Sequence, residues 1–333
     1  MIASLRAMLS RVGVVVALSF GVEVGAADRP SFVDRNGEVM TAQVVELRGD
    51  IEKPAHLSGI AVVGEFLLVV SDEAKNPTVV QVLQRDGNAY KVVRSVSLPG
   101  GSDEVDLEAI AADGNTIYVT GSHASTRKVD EGRIGEVSAK ASREQFFRFR
   151  LTTDGRAEDV QGPKSLRGVI RAHPVLKDFV GVASKENGID VEGLAAKDGR
   201  IHFGFRGPVL RGGWVPVVST TWNDPDGDAQ IRYVHLHGRG IRDIAAVDGG
   251  FLLLAGPVGD ADFSYRIYFW DGADQLPGGD NGPRPDRLGE LTELDDAKPE
   301  GLAVARTQGK TYEVLVVLDG LKNKAMRWTV KRP

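Results

Sequence analysis

The sequence predicts an all-β chain folded as a single β-propeller, and three observations predict it. A phrase close to Glu-Gly-(Leu/Ile)-Ala recurs five times: Leu57-Ser58-Gly59-Ile60-Ala61, Leu107-Glu108-Ala109-Ile110-Ala111, Val191-Glu192-Gly193-Leu194-Ala195, Arg242-Asp243-Ile244-Ala245-Ala246 and Pro299-Glu300-Gly301-Leu302-Ala303. Anchored at 58, 108, 192, 243 and 300, the copies stand 50, 84, 51 and 57 residues apart. A period of about 50 residues suits a four-stranded blade; helical repeats run shorter and carry a 3.6-residue apolar pattern that is missing here. Third, Asp-Gly pairs stand at 86, 113, 154, 198, 248 and 271 between apolar runs. Both central residues of a tight hairpin turn take positive φ at little cost in such a pair.

In chain order, residues 1–26 read as a secretory leader. Arg6 and Arg11 precede the apolar stretch from Val12 to Val22, and Val24-Gly25-Ala26 supplies small residues for cleavage. The stretch is about half the length a permanent span needs. The mature protein, residues 27–333, is then expected in the periplasm or outside the cell as one domain with no membrane span. Loss of Arg6, Arg11 and Glu23 moves the net charge from −5 to −6. A mildly acidic chain disfavours nucleic acid and anionic membranes as partners, which select basic patches, and is compatible with cations. Cysteine is absent, which excludes disulfides, thiolate catalysis and Cys-ligated metal centres.

Residues 42–47 form a strand with no unit of its own. Blade one spans 57–100, with strands at 79–83 and 92–96, and blade two spans 106–161. From 163 to 180 the pattern changes to short helical turns, with Leu166, Val169 and Ile170 on one side and a break at Pro174. This insertion accounts for the 84-residue gap, which otherwise has room for a sixth blade. Blades three and four span 190–238 and 240–295. The last unit begins at 299 and offers strands near 300–305, 312–318 and 325–330, one short of four. The strand at 42–47 completes it and closes a ring of five, which removes exposed sheet edges.

Strand order turns the repeat into a chemical expectation. The first strand of a blade lines the central channel, and its start meets the end of the second strand at one mouth. Strand starts bring Glu108, Glu192, Asp243 and Glu300 there, with Asp106 and Asp190 two residues earlier; second-strand ends bring Asp72, Glu73, His123, Arg206 and Asp319. Carboxylates crowded in this way repel one another unless a proton or cation intervenes, so calcium is the expected guest, with no organic cofactor. Glu108, Glu192, Asp243 and Glu300 are its candidate ligands, His123 and Arg206 the candidate catalytic pair, and Asp72, Arg242 and Asp319 candidates for ligand binding. A structural alternative stands beside each: an acid at a strand start can cap a loop, and Ser58 interrupts the acidic set in the first copy.

Asp224-Pro225-Asp226-Gly227-Asp228 fails the EF-hand pattern, with Ala229 where the loop glycine belongs, and reads as a turn. The Gly-x-Ser-x-Gly elbow, His-Glu-x-x-His, the P-loop and the dinucleotide fingerprint are all absent, which disfavours those hydrolases, NTPases and NAD enzymes. The phrases Asp106-Leu107-Glu108-Ala109-Ile110-Ala111, Gly121-Ser122-His123, Asp190-Val191-Glu192-Gly193-Leu194, Gly204-Phe205-Arg206-Gly207-Pro208, Arg239-Gly240-Ile241-Arg242 and Ala255-Gly256-Pro257 resemble a family of exported bacterial propellers known as a domain of unknown function. That family is similar in turn to esterase-like and phytase-like propellers, which implies ester or phosphoester hydrolysis but no established catalytic residue. Two functions follow as expectations. One is a metal-dependent phosphoesterase or lactonase-type hydrolase, with calcium polarising the substrate, His123 as acid or base and Arg206 gripping an anion. The other is a non-catalytic monomer that recognises a small anion, a sugar or a protein partner at the same mouth.

Overall fold

The computed structural model describes residues 29–72, 79–100, 105–130, 133–259, 263–276 and 281–333. The leader expectation for 1–26 and the acid Glu73 lie outside them. The alternating apolar runs form antiparallel strands, and the Asp-Gly pairs turn between them. At Asp198-Gly199 both residues take positive φ, 53° and 74°, as a tight two-residue hairpin requires.

Five antiparallel meanders follow one another. Unit one contains Leu57–Val63, Phe66–Ser71, Val79–Asp86 and Ala89–Ser97, and unit two Leu107–Asp113, Thr116–Gly121, Phe146–Leu151 and Ala157–Lys164. Unit three contains Asp190–Lys197, Arg200–Gly207, Trp214–Thr220 and Gln230–His235, and unit four Gly240–Val247, Gly250–Gly256, Tyr265–Trp270 and Asp286–Thr292. Unit five contributes Lys298–Gln308, Thr311–Asp319 and Lys324–Lys331. Its fourth strand is Gln43–Arg48 from the other end of the chain, antiparallel to Lys324–Lys331, with Val45 opposite Ala325. The same strand touches unit one in parallel, with Leu47 opposite Tyr90, so it fastens the last unit to the first.

First strands pack against one another in cyclic order, unit one against two, two against three, and so on to five against one. Apolar cores fill the spaces between neighbouring sheets. Phe66 and Val70 of unit one pack with Ile110 and Phe149 of unit two, while Leu302 and Val314 of unit five pack with Leu252 and Leu254 of unit four. Inner strands such as Phe66–Ser71, Trp214–Thr220 and Gly250–Gly256 are covered on both faces and buried along their whole length. The five first strands surround a cavity of about 170 Å³ lined by Ile60, Ile110, Leu194, Ile244 and Leu302 with the residues that follow each.

Among the described residues no sixth meander occurs. The 84-residue gap is taken up by a hairpin, Ser125–Asp130 with Arg133–Ala139, and by a helix at Arg167–Ala172 followed by a 3-10 turn at Leu176–Phe179. The strands Ser31–Asp34 and Val39–Thr41, which the sequence pattern had not indicated, extend unit four beyond Asp286–Thr292. No helix among the described residues is long and apolar enough to cross a membrane.

Candidate functional site

Each first strand carries a β-bulge at the repeated phrase. Register shifts fall between Leu57 and Gly59, Leu107 and Ala109, Val191 and Gly193, Ile241 and Asp243, and Pro299 and Gly301. The bulged residues are therefore Ser58, Glu108, Glu192, Arg242 and Glu300. A bulge adds a residue that the ladder does not pair and re-aims its side chain, so all five are displayed at one end of the ring. The position after the bulge must be small, because neighbouring first strands nearly touch there. A Cβ on Gly301 would lie 3.0 Å from the Cα of Gly59 and 3.0 Å from the carbonyl oxygen of Ser58.

This register corrects the fourth copy by one residue. Arg242, not Asp243, is the equivalent of Glu192 and Glu300, and Asp243 occupies the small-residue position. Its carboxylate is buried and committed to the backbone: Oδ1 accepts from the amides of Ile244 at 2.8 Å and Leu194 at 3.2 Å, and Oδ2 from Leu302 at 2.6 Å. Asp243 thus ties the first strands of units three, four and five together and offers nothing to the mouth.

The mouth is organised as a ladder of alternating charges. Arg206 pairs with Asp190 through Nη2 and with Glu192 Oε1 through Nη1 at 2.7 Å. Arg242 holds Glu192 Oε2 through Nη1 at 2.8 Å and Glu300 Oε1 through Nη2. The order is Asp190, Arg206, Glu192, Arg242, Glu300, and the central members are almost wholly removed from solvent, Arg242 to 4% of its side-chain surface. Taking such charges out of water costs several kcal/mol per ion, which pairing recovers only with good geometry, so each member depends on its neighbours.

Burial sets the protonation of these acids. It raises Asp190 to about 6, against the pull of Arg206, and raises Glu192 despite both guanidinium groups. Glu300 is raised to about 7, by burial first and then by Asp319 and Asp72, with Arg242 opposing. Burial also pushes Glu108 well above the usual carboxylate range, reinforced by Asp106, Glu192, Asp190 and Asp72. Burial opposes the charge on Arg206, but Asp190 and Glu192 outweigh it and keep the guanidinium cationic.

Of the residues expected at the mouth, Glu192, Arg206, Arg242 and Glu300 are thus in direct contact, and Glu108, Asp72 and Asp319 lie within their electrostatic reach. Asp319 also faces His56 Nδ1 at 3.3 Å, and Asp106 accepts from Ser122 Oγ at 2.6 Å beside Arg143. His123 goes elsewhere. Its backbone is left-handed, at φ 54°, and the ring is buried, with Nδ1–H donating to the Gly121 carbonyl at 3.0 Å and Nε2 accepting from the Leu166 amide at 3.2 Å. Both ring nitrogens are spent, Nδ1 on the end of the preceding strand and Nε2 on docking the helical insertion, and burial lowers the imidazole to about 4, so it is neutral at ordinary pH. This corrects the expectation that His123 faces the mouth.

The expected calcium ligands do not form a set. Glu192 and Glu300 are held by guanidinium groups, Asp243 by backbone amides, and among the described residues no three His, Asp or Glu side chains are grouped to hold one metal ion. A cation at the bulges would have to displace Arg242.

Beside the ladder opens a pocket of about 560 Å³. Arg206, Arg242 and Glu300 form one wall, Phe263 and Tyr265 another, and residues 291–298 close the third. Gly256 makes room for this arrangement, since a Cβ there would meet the Tyr265 ring at 2.5 Å and Arg242 Cγ at 3.1 Å. The Nε–H groups of Arg206 and Arg242 are buried without a hydrogen-bond partner. Both Nε atoms are sealed from the pocket, as the Nε atoms of Arg143, Arg200 and Arg327 are sealed elsewhere, so the pocket meets these arginines through other atoms. Phe263, Tyr265 and the segment 291–298 escaped sequence reasoning because they belong to loops and strand edges outside the repeated phrase.

The family described as a protein of unknown function (DUF3616) matches residues 56–146 and 132–330. No curated protein matches the chain. Among solved structures, the major allergen Mala s 1 of Malassezia sympodialis is similar at 13% identity over 89% of this chain and 84% of the allergen, with a TM-score of 0.42. The exo-β-1,3-galactanase of Phanerochaete chrysosporium, solved with galactose, is 9% identical over 90% of this chain and 62% of the galactanase, with a TM-score of 0.46. A putative 6-phosphogluconolactonase of Bacteroides uniformis is 11% identical over 89% of this chain and 76% of its own, at a TM-score of 0.39. None of these distant likenesses assigns an activity or a substrate to this chain.

Proposed function

Because the chain belongs to DUF3616, a family of unknown function, its role rests on its own residues, and we propose that it is a five-bladed β-propeller whose mouth binds a small polar ligand and hydrolyses an ester or lactone bond there. One observation carries this reading: the Glu300 carboxyl stands on the wall of the pocket beside the guanidinium groups of Arg206 and Arg242, and burial pushes it up to about 7. A carboxyl poised near the working pH is the arrangement acid–base catalysis needs, and groups so perturbed cluster at functional sites.

In the proposed step the Glu300 carboxylate takes a proton from water, and the resulting hydroxide adds to the carbonyl carbon. The positive charge of Arg206 and Arg242 on the pocket wall stabilises the negative oxygen that forms. Collapse of that intermediate breaks the bond to the alkoxide, which receives the proton back from Glu300. The ladder fixes both guanidinium groups in advance, so little reorganisation accompanies the change in charge.

A second reading, a non-catalytic binding propeller, is favoured by the bridging of Glu192 and Glu300 through one guanidinium, which makes a rigid, charge-compensated surface. Turnover separates the two. Hydrolysis of p-nitrophenyl acetate and of simple lactones is expected in the wild type and reduced at least a hundredfold in Glu300→Gln, a loss on the scale of general acid–base catalysis. Wild-type protein that hydrolyses none of them across pH 5 to 9 returns the site to pure binding. Export belongs to the same proposal, on the strength of Arg6, Arg11 and the apolar stretch after them. Protein recovered from the periplasm or medium is expected to begin near residue 27, as read by mass spectrometry.

A further inference from the structure

Phe263 is the only exposed aromatic side chain among the described residues, at 42% of its surface. It stands on the wall of the pocket that contains Glu300. One side of its ring rests on the guanidinium of Arg239, whose Cζ lies 5.2 Å from the ring centroid. Arg239 is itself buried and anchored, with Nε donating to the Ser264 carbonyl at 2.7 Å and Nη2 to Ser264 Oγ at 2.9 Å. The ring is therefore a braced platform, and an aromatic surface left open to water beside a polar pocket has binding as its natural use.

The charges of the pocket indicate what the platform receives. Lys185, Arg206, Arg242 and Lys298 supply its cations. Glu293, Asp295, Asp296 and Glu300 supply its acids in equal number. A phosphorylated ligand selects a site with a clear excess of positive charge, and none is present, the more so because Arg206 and Arg242 are already neutralised by Asp190 and Glu192 behind the wall. What fits is a neutral molecule with many oxygens and one apolar face. Carboxylates accept from its hydroxyls, the ammonium groups of Lys185 and Lys298 donate to its oxygens, and its C–H face lies on Phe263.

We infer that the pocket takes a neutral six-membered cyclic polyol, a pyranose sugar or its lactone, stacked on Phe263 with its hydroxyls turned to the ladder. This rests on the reading of the same pocket as the functional site, and it narrows the ligand expected there from a small anion, a sugar or a protein to a neutral sugar ring stacked on Phe263.

The test is isothermal titration of the full chain with D-glucose, D-galactose and D-xylose, and with inorganic phosphate as the charged probe. At least one sugar is expected to saturate the protein. Phe263→Ala, at an exposed position with circular dichroism as the check on folding, should weaken that sugar at least tenfold, and Phe263→Trp should retain it. The inference is overturned if no sugar saturates, if Phe263→Ala binds as the wild type does, or if phosphate binds more tightly than every sugar. Ester turnover keeps the two readings apart. Activity lost in Glu300→Gln with no sugar bound sinks the sugar and leaves the proton transfer; sugar binding that depends on Phe263, with turnover indifferent to Glu300, does the reverse.

Discussion

Arg242 Nη1 lies 2.8 Å from Glu192 Oε2, and the two residues occupy the same bulge position in neighbouring units. Through Nη2 the same guanidinium reaches Glu300, the bulge residue of the next unit, so three consecutive first strands are joined by one buried cation. The ring mouth is thus built and charged by the same contacts.

Arg242→Met should be strongly destabilising for that reason. Methionine fills much of the space but leaves Glu192 and Glu300 buried without their shared partner, and removing one member of a buried pair typically costs about 3–5 kcal/mol. Urea denaturation should show a loss of that order. A loss below about 1 kcal/mol would place the ladder with solvent-screened surface pairs.

Stability should also fall as pH rises. Glu300 at about 7 and Asp190 at about 6 stand above their ordinary values of 4.5 and 3.8. The folded protein therefore holds protons that the unfolded chain has released, and stability declines wherever the folded state binds more. The contribution is complete below the ordinary carboxylate range and disappears as pH climbs through 6 to 7. Urea midpoints measured from pH 4 to 8 should drift downward, and Glu300→Gln, which cannot titrate, should flatten the drift.

Much of this arrangement is legible in the sequence because the repeat is periodic. The spacing of Glu108, Glu192 and Glu300 gives the units, and the Asp-Gly pairs give the turns. The fourth copy misleads because it lacks the glycine or alanine that marks the register in the other copies: an acid, Asp243, stands at the small-residue position and mimics the acid expected one place earlier. The ladder itself is hidden because its partners are far apart in the chain and because arginine does not match the acidic pattern it completes. His123 lies two residues beyond the strand Thr116–Gly121, and its left-handed backbone turns the ring toward Leu166, a choice no sequence pattern encodes. Loop residues such as Phe263 carry no period at all.

Asp243→Ala tests the one-residue correction. It strips three buried amides, those of Leu194, Ile244 and Leu302, of their acceptor, and an unsatisfied buried donor costs roughly 1–3 kcal/mol. A loss of several kcal/mol is expected, with Asp243→Asn intermediate because it retains one acceptor oxygen. If calcium restores the stability of neither variant and leaves the wild-type melting temperature unchanged, Asp243 serves the backbone and not a cation.

Gly301→Ala should fail by crowding. Its Cβ would meet Val317 Cγ2 at 2.7 Å and the Gly59 and Ser58 backbone at 3.0 Å, and the backbone cannot swing away; overpacking of this kind costs about 1–3 kcal/mol. Gly100→Ala is the control, since the nearest atom is the flexible end of Gln145 at 3.8 Å. A melting temperature that drops for the first and holds for the second confirms that the repeated glycine is there for strand contact.

Asp319 gives the most selective handle on the proposed chemistry. It raises Glu300 through its negative charge and is itself 29% exposed, so Asp319→Asn can remove the charge with little disturbance of the core. Without that charge the protonated form of Glu300 loses support, and its titration must move to lower pH. If Glu300 is the base in ester hydrolysis, the rising limb of kcat/KM against pH moves down with it. The side-chain titration, followed by carbon NMR of the carboxyl, reports the same displacement independently of turnover. A rate profile that stays in place while the carboxyl titration moves would show that another group limits the reaction and would leave Glu300 as a binding residue.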